Sequence, residues 1–242
     1  MNFPKNPLFL FIQRIFLVLL LYTVVRLGFY FYNQSFFPEI NADVFMGGLK
    51  FDLSVIGYIN IVFAILHLIP GKFQENKKYQ TILFYSFFLV NGLFISLNFI
   101  DYEYFRFIGR RSSFSMIIAE GMTNEIGGLI ISYFVDYWKI PVFIFSSMLI
   151  FMFLLKKINY QSVKKMSTIG SLLSLVCIVL ILFLMGRGVD RKPLSIVDAS
   201  KYGPIGTSAL VLNTPFTVLK TLSKKESLKQ TIYYKEDIAN KI

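Results

Sequence analysis

The chain has 242 residues, of which 55% are hydrophobic, 17% aromatic and 16% charged, and it carries a net charge of +11. Soluble domains hold about 25% charged residues, so this balance, with a mean hydropathy of +0.59, argues against an ordinary soluble domain and predicts an integral membrane protein. The basic surplus does not indicate a nucleic-acid partner, because the lysines and arginines are spread over short loops and a tail instead of one polar domain.

In chain order, five segments are apolar over roughly the 20 residues a spanning helix needs. They run over about 8–32, 49–69, 80–100, 138–155 and 167–185. The first has the length of a signal-peptide core, but Arg26-Leu27-Gly28-Phe29 stands where a small-residue cleavage site would be, so it reads as an anchor. Lys5 and Arg14 lie at the amino end. Lys72, Lys77 and Lys78 fall between the second and third, and Lys156, Lys157, Lys164 and Lys165 between the fourth and fifth. The loop between the first two spans has no basic residue. This alternation predicts a cytoplasmic amino terminus and, after five crossings, an extracytoplasmic carboxyl terminus.

The third loop breaks the pattern. It carries Arg106, Arg110 and Arg111 together with Asp101, Glu103, Glu120, Glu125 and Asp136. Its stretch over about 112–136 has apolar patches too short and too glycine-broken to span. It is read as one or two amphipathic helices at the outer interface, next to Trp138. Past Gly186, a Gly/Pro-marked boundary opens residues 187–242, too few for a substantial core of their own. They are expected to form an extracytoplasmic strap or linker. The fold class expected is thus all-α integral membrane: a five-helix domain over 1–186, outer-face amphipathic helices, and a carboxyl-terminal linker.

Little in the chain can do chemistry. Cys177 is the only cysteine and His67 the only histidine, which leaves no internal disulfide and no zinc-type cluster. His67 is read as an interfacial side chain. Glu39, Asp43, Asp190 and Asp198 are scattered acids of the surface type, and no phosphate-binding glycine loop, HExxH or GxSxG occurs. No catalytic, cofactor-binding or metal-binding residue is assigned. The expected topology does bring Arg26, Lys50, Asp52, Asn60, Asn98 and Asp101 towards one level, beside Arg106, Arg110 and Arg111. Forked guanidinium donors held by acids suit a phosphate, so this set is a candidate platform for an anionic lipid headgroup. A purely structural ion-pair network is the competing reading.

Four stretches, in order, carry a resemblance. They are GGLKFDLSVIGYIN (Gly47 to Asn60), NFIDYEYFRFIGRRSS (Asn98 to Ser113), YFVDYW (Tyr133 to Trp138) and SIVDASKYGPIGTSALVLNTPFTVLKTL (Ser195 to Leu222). Together they resemble the membrane portion of the lipoteichoic acid synthase and phosphoglycerol transferase family. The resemblance implies five helices in a bacterial cytoplasmic membrane, followed by an extracytoplasmic sulfatase-like domain. In that family this domain carries a threonine nucleophile and Mn²⁺ or Mg²⁺, and it transfers phosphoglycerol from phosphatidylglycerol. No position of this chain matches the nucleophile or the metal ligands. The chain is therefore expected to anchor such an enzyme, present phosphatidylglycerol or another anionic phospholipid, and partner its own catalytic domain. A small transporter or flippase subunit and a structural membrane partner are the alternatives; charges facing a midplane cavity would favour the transporter.

Overall fold

The computed structural model describes residues 6–37, 39–114, 136–158, 165–188 and 192–222. Five helices are long and apolar enough to cross a membrane: α1 (Pro7–Tyr32), α2 (Ala42–Leu68), α3 (Lys77–Ile108), α4 (Lys139–Lys157) and α5 (Thr168–Arg187). Two short helices follow in the tail, α6 (Ser208–Val211) and α7 (Thr214–Leu222), with 3₁₀ turns at Ile196–Tyr202 and Ile205–Thr207. Every described regular element is helical, as expected for backbone that must satisfy its own hydrogen bonds in hydrocarbon.

The helix limits follow local chemistry. Asn6 accepts a hydrogen bond from the Leu8 amide at 2.9 Å, with Pro7 at the first helical position. Asn41 caps α2 through the Val44 amide, Asn76 caps α3 through the amides of Lys78 and Tyr79, and Ser167 caps α5 through that of Gly170. These side-chain oxygens satisfy amides that the first turn leaves open. Two helices outrun their expected limits. α2 begins at the Asn41 cap, well before residue 49. α3 continues through Asp101 to Ile108 and stops only at Gly109, whose φ of +69° is the left-handed cap that glycine adopts freely. The charge-rich end of the third span is therefore helix, with Asp101, Tyr102 and Phe105 turned into the core.

The first four spans run antiparallel in succession, as side-chain ties show. Arg26 late in α1 meets Asp52 early in α2, while Arg14 early in α1 meets His67 late in α2. Tyr79 at the start of α3 donates to the Leu66 carbonyl near the end of α2. Phe99 and Tyr102 late in α3 face Phe143 early in α4. α5 lies along α2 so closely that a Cβ on Gly57 would meet the Leu182 carbonyl oxygen at 2.5 Å and the Gly186 nitrogen at 2.8 Å. Ser54 also donates to the Gly186 carbonyl at 2.6 Å. Small residues at a helix crossing are how backbones approach in lipid, where the hydrophobic effect gives no push. α2 is the centre of the bundle, touching α1, α3, α5 and the tail; α5 packs on α2, and α4 packs on α3 and α1, both with mostly outward-facing apolar side chains.

The tail does not lie loosely over the surface. Leu210 to Val218 are buried among α1, α2 and α3 at the end of the bundle where α1 and α3 finish, and Phe216 meets the Phe51 ring edge-on at 4.8 Å. Of the stretch 112–136, where interfacial helices are expected, residues 115–135 lie outside the described residues, as do residues 223–242 of the expected linker.

Candidate functional site

At this tail-bearing end, each of the first three helices offers a charged side chain to the core, and the tail supplies what those charges bind. Arg26 of α1 forks onto Asp52 of α2, with Nη2 donating to Oδ1 at 2.5 Å and Nε to Oδ2 at 3.2 Å. Nη2 also donates to the Gly48 carbonyl at 2.9 Å. Nη1 reaches the carbonyls of Leu210, Val211 (2.7 Å) and Leu212 (3.1 Å). These are the end carbonyls of the short α6, which have no intrahelical partner. Asn213 closes the ring by donating Nδ2 to Asp52 Oδ1 at 2.7 Å.

Asp101 of α3 is the second hub. It accepts the Ser112 amide at 3.0 and 3.2 Å, the Ser112 hydroxyl, and the Thr214 hydroxyl at 2.6 Å. Arg111 Nη1 stands 3.6 Å from its Oδ2. The same guanidinium donates Nε to the Ala209 carbonyl at 2.7 Å and lies 3.6 Å from the Phe29 ring centre. Burial lowers the Arg111 pKa to about 10, partly opposed by the Asp101 charge, so the side chain stays cationic at neutral pH. Asn98 accepts the Thr214 amide, and Thr217 donates to the Ser112 carbonyl. Asn213 accepts the Phe216 amide at 2.8 Å and so caps α7, with Pro215 in its first turn.

Arg26, Asp52, Asp101 and Arg111 are each at most 5% exposed. An ion pair so buried gains little net stability over apolar packing, but removing one member strands the other at high cost. The arrangement is best described as a clasp: two buried acid–arginine pairs that take hydrogen bonds from or give them to Ala209, Leu210, Val211, Leu212, Asn213 and Thr214 of the tail. Of the seven charged residues singled out in the sequence, four meet here. Lys50 instead sits half-buried with Nζ 5.9 Å from the Tyr202 ring centre. Arg106 lies over the Tyr32 ring at 4.8 Å. Arg110 is exposed and lines a hollow of about 290 Å³ with Arg111, Ser113, Ile196, Leu212, Thr217 and Thr221.

The clasp leaves a cavity of only about 10 Å³ between Tyr22, Arg26, Asp52, Arg111 and Asn213, roughly the room one water needs. These charges face each other, not a wide passage. Among the described residues no group of three or more His, Cys, Asp or Glu is gathered to hold a metal ion, and Asp52 and Asp101 already accept several donors from the chain itself, so no metal-dependent step is derived from these residues.

Sequence reasoning missed the partners from the tail. Asn213, Thr214 and Thr217 carry no charge and sit in a stretch that reads as linker. Their one available signal was Asn-Thr-Pro-Phe, a helix-cap pattern. It also placed His67 at the interface. The histidine is instead buried, with Arg14 Nη1 2.5 Å from Nε2 and the Phe63 carbonyl 2.7 Å from Nδ1. Asn60 finds Asn91 on α3, in a reciprocal amide pair at 3.0 and 3.1 Å.

Compared with family models, curated proteins and solved structures, the chain matches none.

Proposed function

We propose that this chain is the membrane-anchoring and lipid-presenting part of a cell-envelope transferase of the phosphoglycerol-transferring kind that its motifs resemble, with the tail-bearing end facing outward from a bacterial cytoplasmic membrane. The observation that carries the reading is the clasp. A chain that only needed to stay in the membrane would not sink ten residues of tail onto two buried ion pairs. Such a seat fixes where α7 ends, and a transferring domain joined to it would be held over one patch of the membrane surface. The hollow beside the clasp supports lipid presentation. Arg110 lines it with an exposed guanidinium, a forked donor suited to an anionic headgroup such as that of phosphatidylglycerol.

Arg111 cannot test this role, because it holds the tail. Arg110 can. In nanodiscs containing phosphatidylglycerol and phosphatidylcholine, Arg110→Glu is expected to lower retained phosphatidylglycerol several-fold and leave thermal unfolding unchanged. Unaltered retention would overturn the headgroup assignment. A cysteine placed at exposed Ser200 should react with a membrane-impermeant maleimide from outside intact cells; labelling only after lysis would overturn the orientation.

A further inference from the structure

A second hollow is lined in part by Tyr102. It is a lateral groove of about 530 Å³ between α1, α3 and α4, lined by Leu21, Val24, Gly28 and Tyr32, by Phe99 and Tyr102, and by Phe143, Ser146, Ser147 and Ile150. Small residues create it. Gly28 admits the Tyr102 hydroxyl, which donates to the Val25 carbonyl at 2.7 Å, where any side chain would collide with it. Ser146 and Ser147 withdraw the α4 wall. Ser147 turns its hydroxyl back onto the Ile144 carbonyl at 2.8 Å, which leaves an apolar floor.

We infer that this groove seats one acyl chain of a membrane phospholipid, whose phosphodiester rests on Arg106 and whose headgroup donor meets Glu103. Depth, lining and charge all favour a lipid. Along α1 the lining runs from Leu21 to Tyr32, about 16 Å at 1.5 Å per residue, and one leaflet of hydrocarbon is about 15 Å deep. The groove therefore begins at the tail-bearing end and closes near mid-bilayer, as a single acyl chain requires and a spanning helix of a partner does not.

At its mouth stands a prepared polar group. Arg106 stacks on Tyr32, donates Nε to Asn33 Oδ1 at 3.3 Å and Nη2 to the Tyr32 carbonyl at 3.2 Å, yet its side chain is 43% exposed. Glu103 accepts the Tyr32 hydroxyl and lies 3.9 Å from Arg106 Nη1. A cation and an anion side by side match a phosphodiester that also carries a hydroxyl or ammonium donor. Phosphatidylglycerol and phosphatidylethanolamine have such a donor, and phosphatidylcholine lacks one. The inference needs only a membrane-spanning bundle. It does not depend on the transferase reading or on Arg110.

The full chain, reconstituted with phosphatidylglycerol, phosphatidylethanolamine or phosphatidylcholine bearing a mid-chain diazirine, tests it. After irradiation, adducts should concentrate on peptides containing residues 21–32 and 143–150. The two donor-bearing lipids should label these peptides roughly tenfold more than phosphatidylcholine, the factor expected of a charge-assisted hydrogen bond. Preference for the ammonium or for the hydroxyl lipid tells which source the site takes. Ser146→Phe, which fills the groove from an exposed position, should abolish the concentrated labelling. Arg106→Gln should erase the headgroup preference and spare labelling of the groove, which keeps the test valid if the first variant misfolds. Labelling spread evenly over the outward faces of α4 and α5, labelling indifferent to headgroup, or labelling lost on Arg110→Glu would each overturn the inference.

Discussion

Two buried arginines on the same helix bind in opposite ways, and the contrast shows how the bundle divides its work. Arg14, near one end of α1, meets His67 and stands 5.8 and 5.7 Å from the ring centres of Phe84 and Phe87. Arg26, near the other end, meets an acid and the backbone carbonyls of a segment far along the chain. The first ties spanning helices to one another. The second ties the spanning helices to the tail. Between them, Asn60 and Asn91 pair α2 with α3 through neutral amides. The polar core thus grades from helix-to-helix glue to an acid-based clasp, and only at the tail-bearing end does the charge pattern commit the fold to a piece of chain outside the spans.

The largest expected effect comes from breaking that clasp at its acid. Asp52→Asn leaves Arg26 buried without a counter-charge, a change that costs about 3–5 kcal/mol. It should lower the unfolding temperature in detergent sharply and open the tail to trypsin at Lys220, which the native protein should resist. Next, Thr214→Val removes one donor from Asp101 at the second hub and should cost about 1–3 kcal/mol, with the same opening of the tail at lower temperature.

The opposite end supplies the control. His67→Phe, which removes the acceptor facing Arg14, should destabilise the bundle by a similar about 1–3 kcal/mol while leaving trypsin access to Lys220 unchanged below the unfolding transition. If the tail opened equally in that variant, the division between the two ends would fail. In the middle, a double-mutant cycle of Asn60→Ala and Asn91→Ala should give a coupling of about 0.6 kcal/mol, the usual size for polar pairs in membranes.

The smallest effect belongs to the tail's outer turn. The hydrogen bond from Lys201 pulls the Asp198 pKa down from 3.8 to about 2, with further help from Ser195. A carboxyl held low stabilises the folded state at pH above its ordinary value and loses that contribution as pH falls towards about 2. Because the pair is largely solvated, Asp198→Asn should cost no more than about 1 kcal/mol and less in high salt. Chemical denaturation at pH 6 and at pH 2.5 checks the sign, since the difference between wild type and variant should be smaller at the lower pH.

The five spans were legible because hydrocarbon demands long apolar runs, and the meeting of Arg26, Asp52, Asp101 and Arg111 because charges placed in such runs must find one another. The length of α3 was not. Asp101 to Ile108 looks like loop in composition, yet Asp101, Tyr102 and Phe105 turn into the core, and Gly109 marks the true end. The depth of the tail was illegible for a related reason. Residues 208–222 are apolar on one side and hydroxyl-rich on the other, which reads as a weak surface helix until the acids that need those hydroxyls are seen on other helices. His67 misled because a lone histidine carries no sign of its partner, and Arg14 looked like part of an orienting charge cluster.

The central claim is that residues 208–219 belong to the membrane bundle as firmly as its helices do. Hydrogen–deuterium exchange on the full chain in nanodiscs reads this directly. The account predicts protection of the 208–219 amides comparable to that of mid-α2, lost together with it on unfolding and lost selectively in Asp52→Asn. Exchange of those amides at the rate of an unstructured peptide in the native protein would contradict it.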